Sequence, residues 1–187
     1  MLIDPHGDMA EEIARFREFQ CGPAKDRLVY IDPNLSEEAW PTINPFHLPD
    51  KSERNIGLMA QEIKRILDVL LKGAATSNQM NAVMLPCIST LLRMKGSTFE
   101  DLQRFMDAEN NKDLIREGQR SPNMQHRSFF RSWFQSQAYR ATGHGIFTRL
   151  QVLMNDPLFQ KLISGEQSLD LEKLIEQRKI IIFKLTL

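Results

Sequence analysis

Three short apolar runs, two of them closed by Asp-Pro, constrain this chain more than any other feature. The first is Met1-Leu2-Ile3 ahead of Asp4-Pro5. The second is Leu28-Val29-Tyr30-Ile31 ahead of Asp32-Pro33. The third is Ile180-Ile181-Ile182-Phe183, close to the last residue. Short, unbroken apolar runs rich in β-branched residues suit strands covered on both faces, as in parallel sheets. A long stretch of helical periodicity separates the second run from the third. The layout predicts a parallel sheet that opens at the first residue, is interrupted by a helical module, and resumes as the chain ends. A first strand of roughly four residues is short against the usual five or six, which points to a chain that opens inside a domain.

The local signals fill in this outline. Residues 1–31 read as strand, helix and strand, a βαβ unit expected to cross over right-handed. Asp8 is placed to cap the intervening helix, which carries Ala10, Ile13, Ala14 and Phe16 at helical spacing. Cys21-Gly22-Pro23 stops it. Pro33, Pro41, Pro45 and Pro49 make residues 33–50 a loop, expected to be pinned to the sheet by Ile43 and Phe46.

From residue 56 the period becomes helical. Ile56, Met59, Ala60, Ile63, Ile66, Leu67 and Leu70 form one stripe, followed by a turn over 73–78. A second helix runs from Val83 to Leu92, with Pro86 as an expected kink and Gly96 as its end. Ser97 or Thr98 then caps a third helix, with Glu100 or Asp101 completing a capping box. Residues 110–122 read as a short helix and loop. An aromatic segment from Met124 to Arg140 is expected to break at Gly143 and Gly145, ahead of a helix through Ile146 and Met154. Asp156-Pro157 begins another helix, and Asp170 to Ile175 a last short one. The reading is a mainly α chain, with a helical domain inserted into a partial parallel α/β sheet. Its parts are 1–55 (the βαβ remnant), 56–165 (all helical) and 166–187 (helix and returning strand).

Composition excludes little. The 187 residues are 42% hydrophobic and 26% charged, with a formal net charge of +0, ordinary values for a globular domain. The distribution says more. Between Glu117 and Asp156 there is no acidic residue, whereas Arg120, Arg127, Arg131, Arg140 and Arg149 all fall there, with His126 and His144. Arg127 and Arg131, four apart, share a helix face. Arginines interleaved with Phe129, Phe130, Trp133, Phe134 and Tyr139 suit phosphates and unpaired bases. The plainer reading is that such aromatics are core and the arginines a solvated face. Cys21 and Cys87 lack Cys-x-x-Cys spacing and read as free thiols. No apolar run reaches the roughly 18 residues of a membrane span, and no signal-peptide pattern opens the chain.

Asp4-Pro5-His6-Gly7-Asp8 falls at the carboxyl end of a strand, where open α/β sheets bind ligands. Its plain reading is a tight turn, with Pro5 setting φ, Gly7 taking unusual angles and Asp8 capping. That leaves Asp4 and His6 unexplained. A lone His-x-Asp pair supplies too few ligands for a metal, and no nucleophile can be named beside it.

The run LIDPHGDMAEEI resembles the strand and turn that follow the phosphate-binding loop in DNA-pumping RecA-like ATPases of the HerA/FtsK kind. It is most similar to the conjugative coupling proteins of type IV secretion systems. LVYIDP resembles their next Asp-Pro strand, and Asn44-Pro45-Phe46 their following loop. KIIIFKLTL resembles the strand that returns after an all-helical domain. The order of these short pieces covers essentially the whole chain.

The resemblance implies that Asp4, His6, Gly7 and Asp8 lie near nucleotide. It implies that Arg127, Arg131, Arg140 and Arg149 lie towards DNA or the relaxase complex. In the full-length family, ATP, magnesium and a six-subunit ring are implied. No Gly-x-x-x-x-Gly-Lys-Ser/Thr run occurs here, and the acidic Walker B strand would follow residue 187. The chain is therefore expected to be the middle of such an ATPase, with no cofactor of its own and no ATP hydrolysis by itself. It would be cytoplasmic, with any membrane association supplied by other segments. A truncated sheet would expose strand edges and favour self-association. The competing reading is a stand-alone helical module that binds protein and touches neither DNA nor nucleotide.

Overall fold

The computed structural model describes residues 1–22, 24–32, 34–35, 41–71, 78–165 and 168–185. Their contacts divide into two units, Met1–Pro41 with Leu169–Leu187, and Thr42–Ser168. The chain is mainly helical, with one small parallel sheet. The expected turn over 73–78 lies, except for Asn78, outside the described residues.

The first unit is built on three strands, β1 (Leu2–Asp4), β2 (Leu28–Ile31) and β3 (Ile180–Lys184). Their order is β1-β3-β2, and both pairings are parallel. Thus β1 and β2 flank the last strand rather than each other. Ile182 lies opposite both Leu2 and Tyr30. Central position explains the apolar run: Ile181 and Ile182 are each buried, as a parallel strand covered on both faces requires. Alternation sorts the side chains. Ile181 and Phe183 pack with Val29, Ile31, Leu169, Leu171 and Leu174. Leu171 and Leu174 belong to α10 (Leu171–Glu176), capped by the Asp170 side chain on Lys173 N–H at 2.9 Å. Lys184 belongs to the opposite set and reaches Glu11.

Two expectations for the first turn are corrected. Asp8 makes no capping hydrogen bond. The preceding Gly7 is the N-cap of α1 (Asp8–Ala14), with φ at 86°, a left-handed conformation that glycine adopts without a Cβ clash. The capping acceptor is Asp4, whose two carboxylate oxygens accept from His6 N–H at 3.0 Å and Ala10 N–H at 2.8 Å. The helix also ends earlier than expected. Phe16 turns extended and a separate turn, α2 (Arg17–Gln20), follows. Phe16 is exposed and stacks on Phe19 instead of entering a core.

The second unit is helical. Its elements are α3 (Glu53–Leu70), α4 (Asn78–Arg93), α5 (Phe99–Phe105), α6 (Lys112–Gln119), α7 (Met124–Ser128), α8 (Gln137–Met154) and α9 (Pro157–Ile163). At its centre is α4. Every residue from Pro86 to Leu92 is buried, together with Met80, Val83 and Met84. A helix apolar on all sides has to be surrounded, and α3, α5, α6 and α8 all contact it. The helix is continuous through Pro86.

Arg93, at its end, holds Glu53 at the start of α3 in a two-pronged ion pair. The two helices therefore run antiparallel. Lys51 donates to the carbonyls of Arg93 and Met94, serving acceptors that a helix end leaves open. Gly96, at φ 72°, turns the chain away. Thr98 and Asp101 form the expected capping box, in which Thr98 N–H donates to the Asp101 carboxylate at 2.9 Å. Asp156 accepts from Leu158 and Phe159 N–H ahead of Pro157, as Asp-Pro at a helix start predicts.

Three further expectations change. From Thr42 on, the proline-rich loop belongs to the helical unit, and Ile43 and Phe46, expected to pin it to the sheet, are held there. Phe46 lies in the helical core, buried Asn44 donates to the Ser97 carbonyl at 2.8 Å, and Ile43 N–H donates to the Leu162 carbonyl. The α3 stripe is narrower than its apolar spacing implies. Ile56, Ala60, Ile63 and Leu67 are buried, while Ile66 and Leu70 are exposed beside Leu58 and Val69. Finally, Gly143 and Gly145 do not break the chain but lie inside α8. Their cost, about 1 kcal/mol each relative to alanine, is small beside the burial of Ile146, Leu150 and Met154.

A Cβ on Gly145 would meet nothing within 4 Å, whereas one on Gly118 would lie 2.3 Å from the Phe130 ring. Gly145→Ala should therefore raise the melting temperature, by up to about 1 kcal/mol of stability. Gly118→Ala should lower it by about 1–3 kcal/mol, the usual range for overpacking. Thermal unfolding followed by circular dichroism decides both, and a neutral Gly118→Ala would contradict the ring-on-helix packing.

Candidate functional site

The carboxyl edge of the parallel sheet gathers one charged residue from each strand: Asp4 at the end of β1, Lys184 at the end of β3, and Asp32 just after β2. This is the edge where open α/β sheets meet ligands. Asp4 is buried and wholly engaged by backbone N–H groups. Those donors, Ala10 first, hold its carboxyl below the usual range. Asp32 is also buried, with one oxygen accepting from Asn34 N–H at 2.9 Å and the other 3.2 Å from Lys184 Nζ. Lys184 Nζ lies 2.7 Å from Glu11 Oε1. The hydrogen bond from Lys184 lowers the Glu11 carboxyl, and the same bond, with Asp32, raises the lysine.

These contacts assign the Asp-Pro pairs a structural part. Asp4 closes the turn ahead of α1, and Asp32 accepts from the N–H of Asn34 two residues on. Of the four residues expected near nucleotide, Asp4 and Gly7 are buried turn-builders, and His6 and Asp8 are exposed. Among the described residues no group of three or more His, Cys, Asp or Glu is placed to hold a metal. Sequence reasoning missed the Lys184 bridge. Its only signal was a lysine directly after an apolar run, which says nothing about the partner strand.

The four arginines expected to face DNA, Arg127, Arg131, Arg140 and Arg149, separate. Arg127 donates to the Ser121 carbonyl at 2.8 Å, and Arg149 contacts the Met80 sulfur. Arg131 and Arg140 are exposed. None of the four is in an ion pair among the described residues.

The aromatics divide in the same way. Residues Phe129–Trp133 form a π-helical turn closed by Phe134 N–H on the Phe129 carbonyl. Such a turn adds one residue to the local repeat. Phe129, Phe130 and Phe134 meet with centroids 5.3–5.6 Å apart, and Phe130 stacks on Phe105 at 5.5 Å. These are core, in line with the plainer reading. Trp133 is not: it is 59% exposed and lies on the turn with Arg131. His126 is half-buried, its Nδ1 has no partner among the described residues, and burial lowers its pKa.

Beside this cluster lies a cleft of about 460 Å³. Its apolar lining includes Phe105, Phe134 and Phe147, and its polar lining includes Tyr139, Arg140 and His144. Arg140 and His144 are one turn apart on α8. The opposite charge in the lining is Asp107, whose oxygens already accept from Glu109 N–H and the Asn110 side chain. Cys87 is buried in the core and its thiol is pushed well up by burial, so it is no nucleophile. Among the described residues no helix is long and apolar enough to cross a membrane.

No family model, curated protein or solved structure matches this chain. Its functional reading therefore stands on its own geometry.

The Lys184 bridge has a defined pH signature. Glu11 is lowered, so its contribution is present above about 4.3 and is lost as pH falls through its folded value. Lys184 is raised, so its contribution is present below about 10.4 and is lost as pH rises through its folded value. Lys184→Met should lower the melting temperature by a constant amount between about pH 5 and pH 10. The difference should shrink below about pH 4. A difference that does not change on acidification would mean that Glu11 is not the partner.

Proposed function

We propose that the chain is a segment of a DNA-translocating ATPase similar to conjugative coupling proteins, in which the helical unit contacts DNA or the relaxase complex. The observation that carries this reading is the interruption of one parallel sheet by Thr42–Ser168, between β2 and a β3 that pairs with both earlier strands. It is the arrangement that the ordered Asp-Pro pieces imply. Asp4 and Asp32 close the turns at the sheet's carboxyl edge, beside which nucleotide would bind in an assembled ATPase domain. The residues that cradle phosphate and hold magnesium would come from segments outside this chain, and hydrolysis would need them.

Contact with DNA draws its support from Arg131 and Arg140. Both are exposed in a segment without acidic residues, with exposed Trp133 nearby in sequence. Arginine next to an aromatic face suits a backbone phosphate and its unpaired base. A second reading keeps a specific observation in its favour. Leu58, Ile66, Val69 and Leu70 are exposed on α3, which suits a helical module that docks protein and never touches DNA.

A salt series with labelled single-stranded and duplex DNA separates the two. Binding should weaken steeply with salt, because each phosphate that the protein neutralises releases counterions. Arg131→Ala with Arg140→Ala should flatten the slope of log K against log salt by about 1.4 on single strands, since each neutralised phosphate contributes about 0.7. Absence of binding at low salt would favour the protein-docking reading.

A further inference from the structure

Resting on the DNA-contact reading above, we propose that the cleft between the α5–α6 connection, the π-helical turn and α8 receives one unpaired nucleobase of a single strand, with the adjoining phosphate on Arg140 and His144.

The argument starts with size and lining. About 460 Å³ falls in the range of small-molecule clefts, roughly 300–1,000 Å³, and is too small for a base pair with its backbones. Phe134, Tyr139 and Phe147 line it, and each is half-buried, so ring surface stays available to a planar guest. Tyr139 is held edge-on by Phe129, with centroids 5.5 Å apart. A ring fixed in this way needs no further ordering to receive a base.

Charge then selects among planar guests. Arg140 and His144 are exposed, and neither side chain has a hydrogen bond or ion pair among the described residues. A neutral guest would leave Arg140 without a counterion, whereas a nucleotide brings ring and phosphate together. Asp107 lies in the same lining, but no ion pair joins it to Arg140 among the described residues. Duplex DNA is disfavoured, since a base must be unstacked and unpaired before it can enter. The cleft thus reads the presence of an unpaired base, while Arg131, outside its lining, supplies contact that any phosphate backbone satisfies.

The test uses the whole chain and two fluorescent oligothymidylates of equal length, one with abasic sites at its central positions. Both carry the same phosphates. The intact strand should bind at least about tenfold tighter, in keeping with base stacking on aromatic side chains. Arg140→Gln with His144→Gln, both at exposed positions, should weaken the intact strand more than the abasic one. In a parallel amide NMR titration, thymidine monophosphate should move Gly143, which lines the cleft, and leave Gly57 on α3 in place.

Equal affinity for intact and abasic strands would overturn the cleft proposal while leaving the DNA contact standing. No binding of either strand at low salt would overturn both. Movement of Gly143 by phosphotyrosine but not by thymidine monophosphate would overturn the proposal in favour of a protein ligand.

Discussion

The pairing of β3 with both β1 and β2 is the constraint on which the sheet unit depends. A three-stranded parallel sheet has no hairpins, so its strands meet only after the intervening chain has folded back. Here the middle strand is the last to be made. Ile181 and Ile182 are buried because β3 is central, and Lys184 reaches both Glu11 and Asp32 for the same reason. Without β3, β1 and β2 would each be an isolated short strand with no neighbour. The helical unit must therefore return the chain to the sheet before the edge charges can assemble.

The helical unit depends on a different physical requirement, the burial of α4. Its neighbours present narrow apolar stripes, and the space beyond is filled by the aromatic cluster. Gly118 lets the Phe130 ring rest directly on α6, which no larger residue would permit. The π-helical turn then places Phe129, Phe130 and Phe134 inward while Arg131 and Trp133 remain outside. One local irregularity thus separates an aromatic core from an exposed cationic and aromatic surface. It also leaves the cleft beside Phe134 open to solvent.

Much of the fold is legible in the chain. Strand runs, helix periods and the caps at Thr98 and Asp156 depend on residues within a few positions of one another, and the structure contains them. The misreadings are of two kinds. Gly143 and Gly145 look like breaks because glycine weakens an isolated helix, but the burial of Ile146 and Leu150 outweighs that cost. Asp8 looks like the cap of α1 because it immediately precedes the helix. Asp4 does the capping from six residues before Ala10, because the turn folds back on itself. Similarly, proximity in sequence points Phe46 to the sheet, whereas Asn44 and Ser97 tie its loop to the helical core.

The candidate site is legible as a composition and not as a geometry. The absence of acidic residues between Glu117 and Asp156 marks the segment, but the arginines there carry no sign of which will bond to their own backbone. Arg127 finds the Ser121 carbonyl and Arg149 finds Met80, while Arg131 and Arg140 stay exposed. By itself the sequence determined most element types, the caps at Thr98 and Asp156 and the charge of the segment, because these are set by neighbours along the chain. Tertiary structure alone decided the strand order, the Lys184 bridge and the cleft. Those depend on residues far apart in sequence, brought together only when the hydrophobic faces are buried.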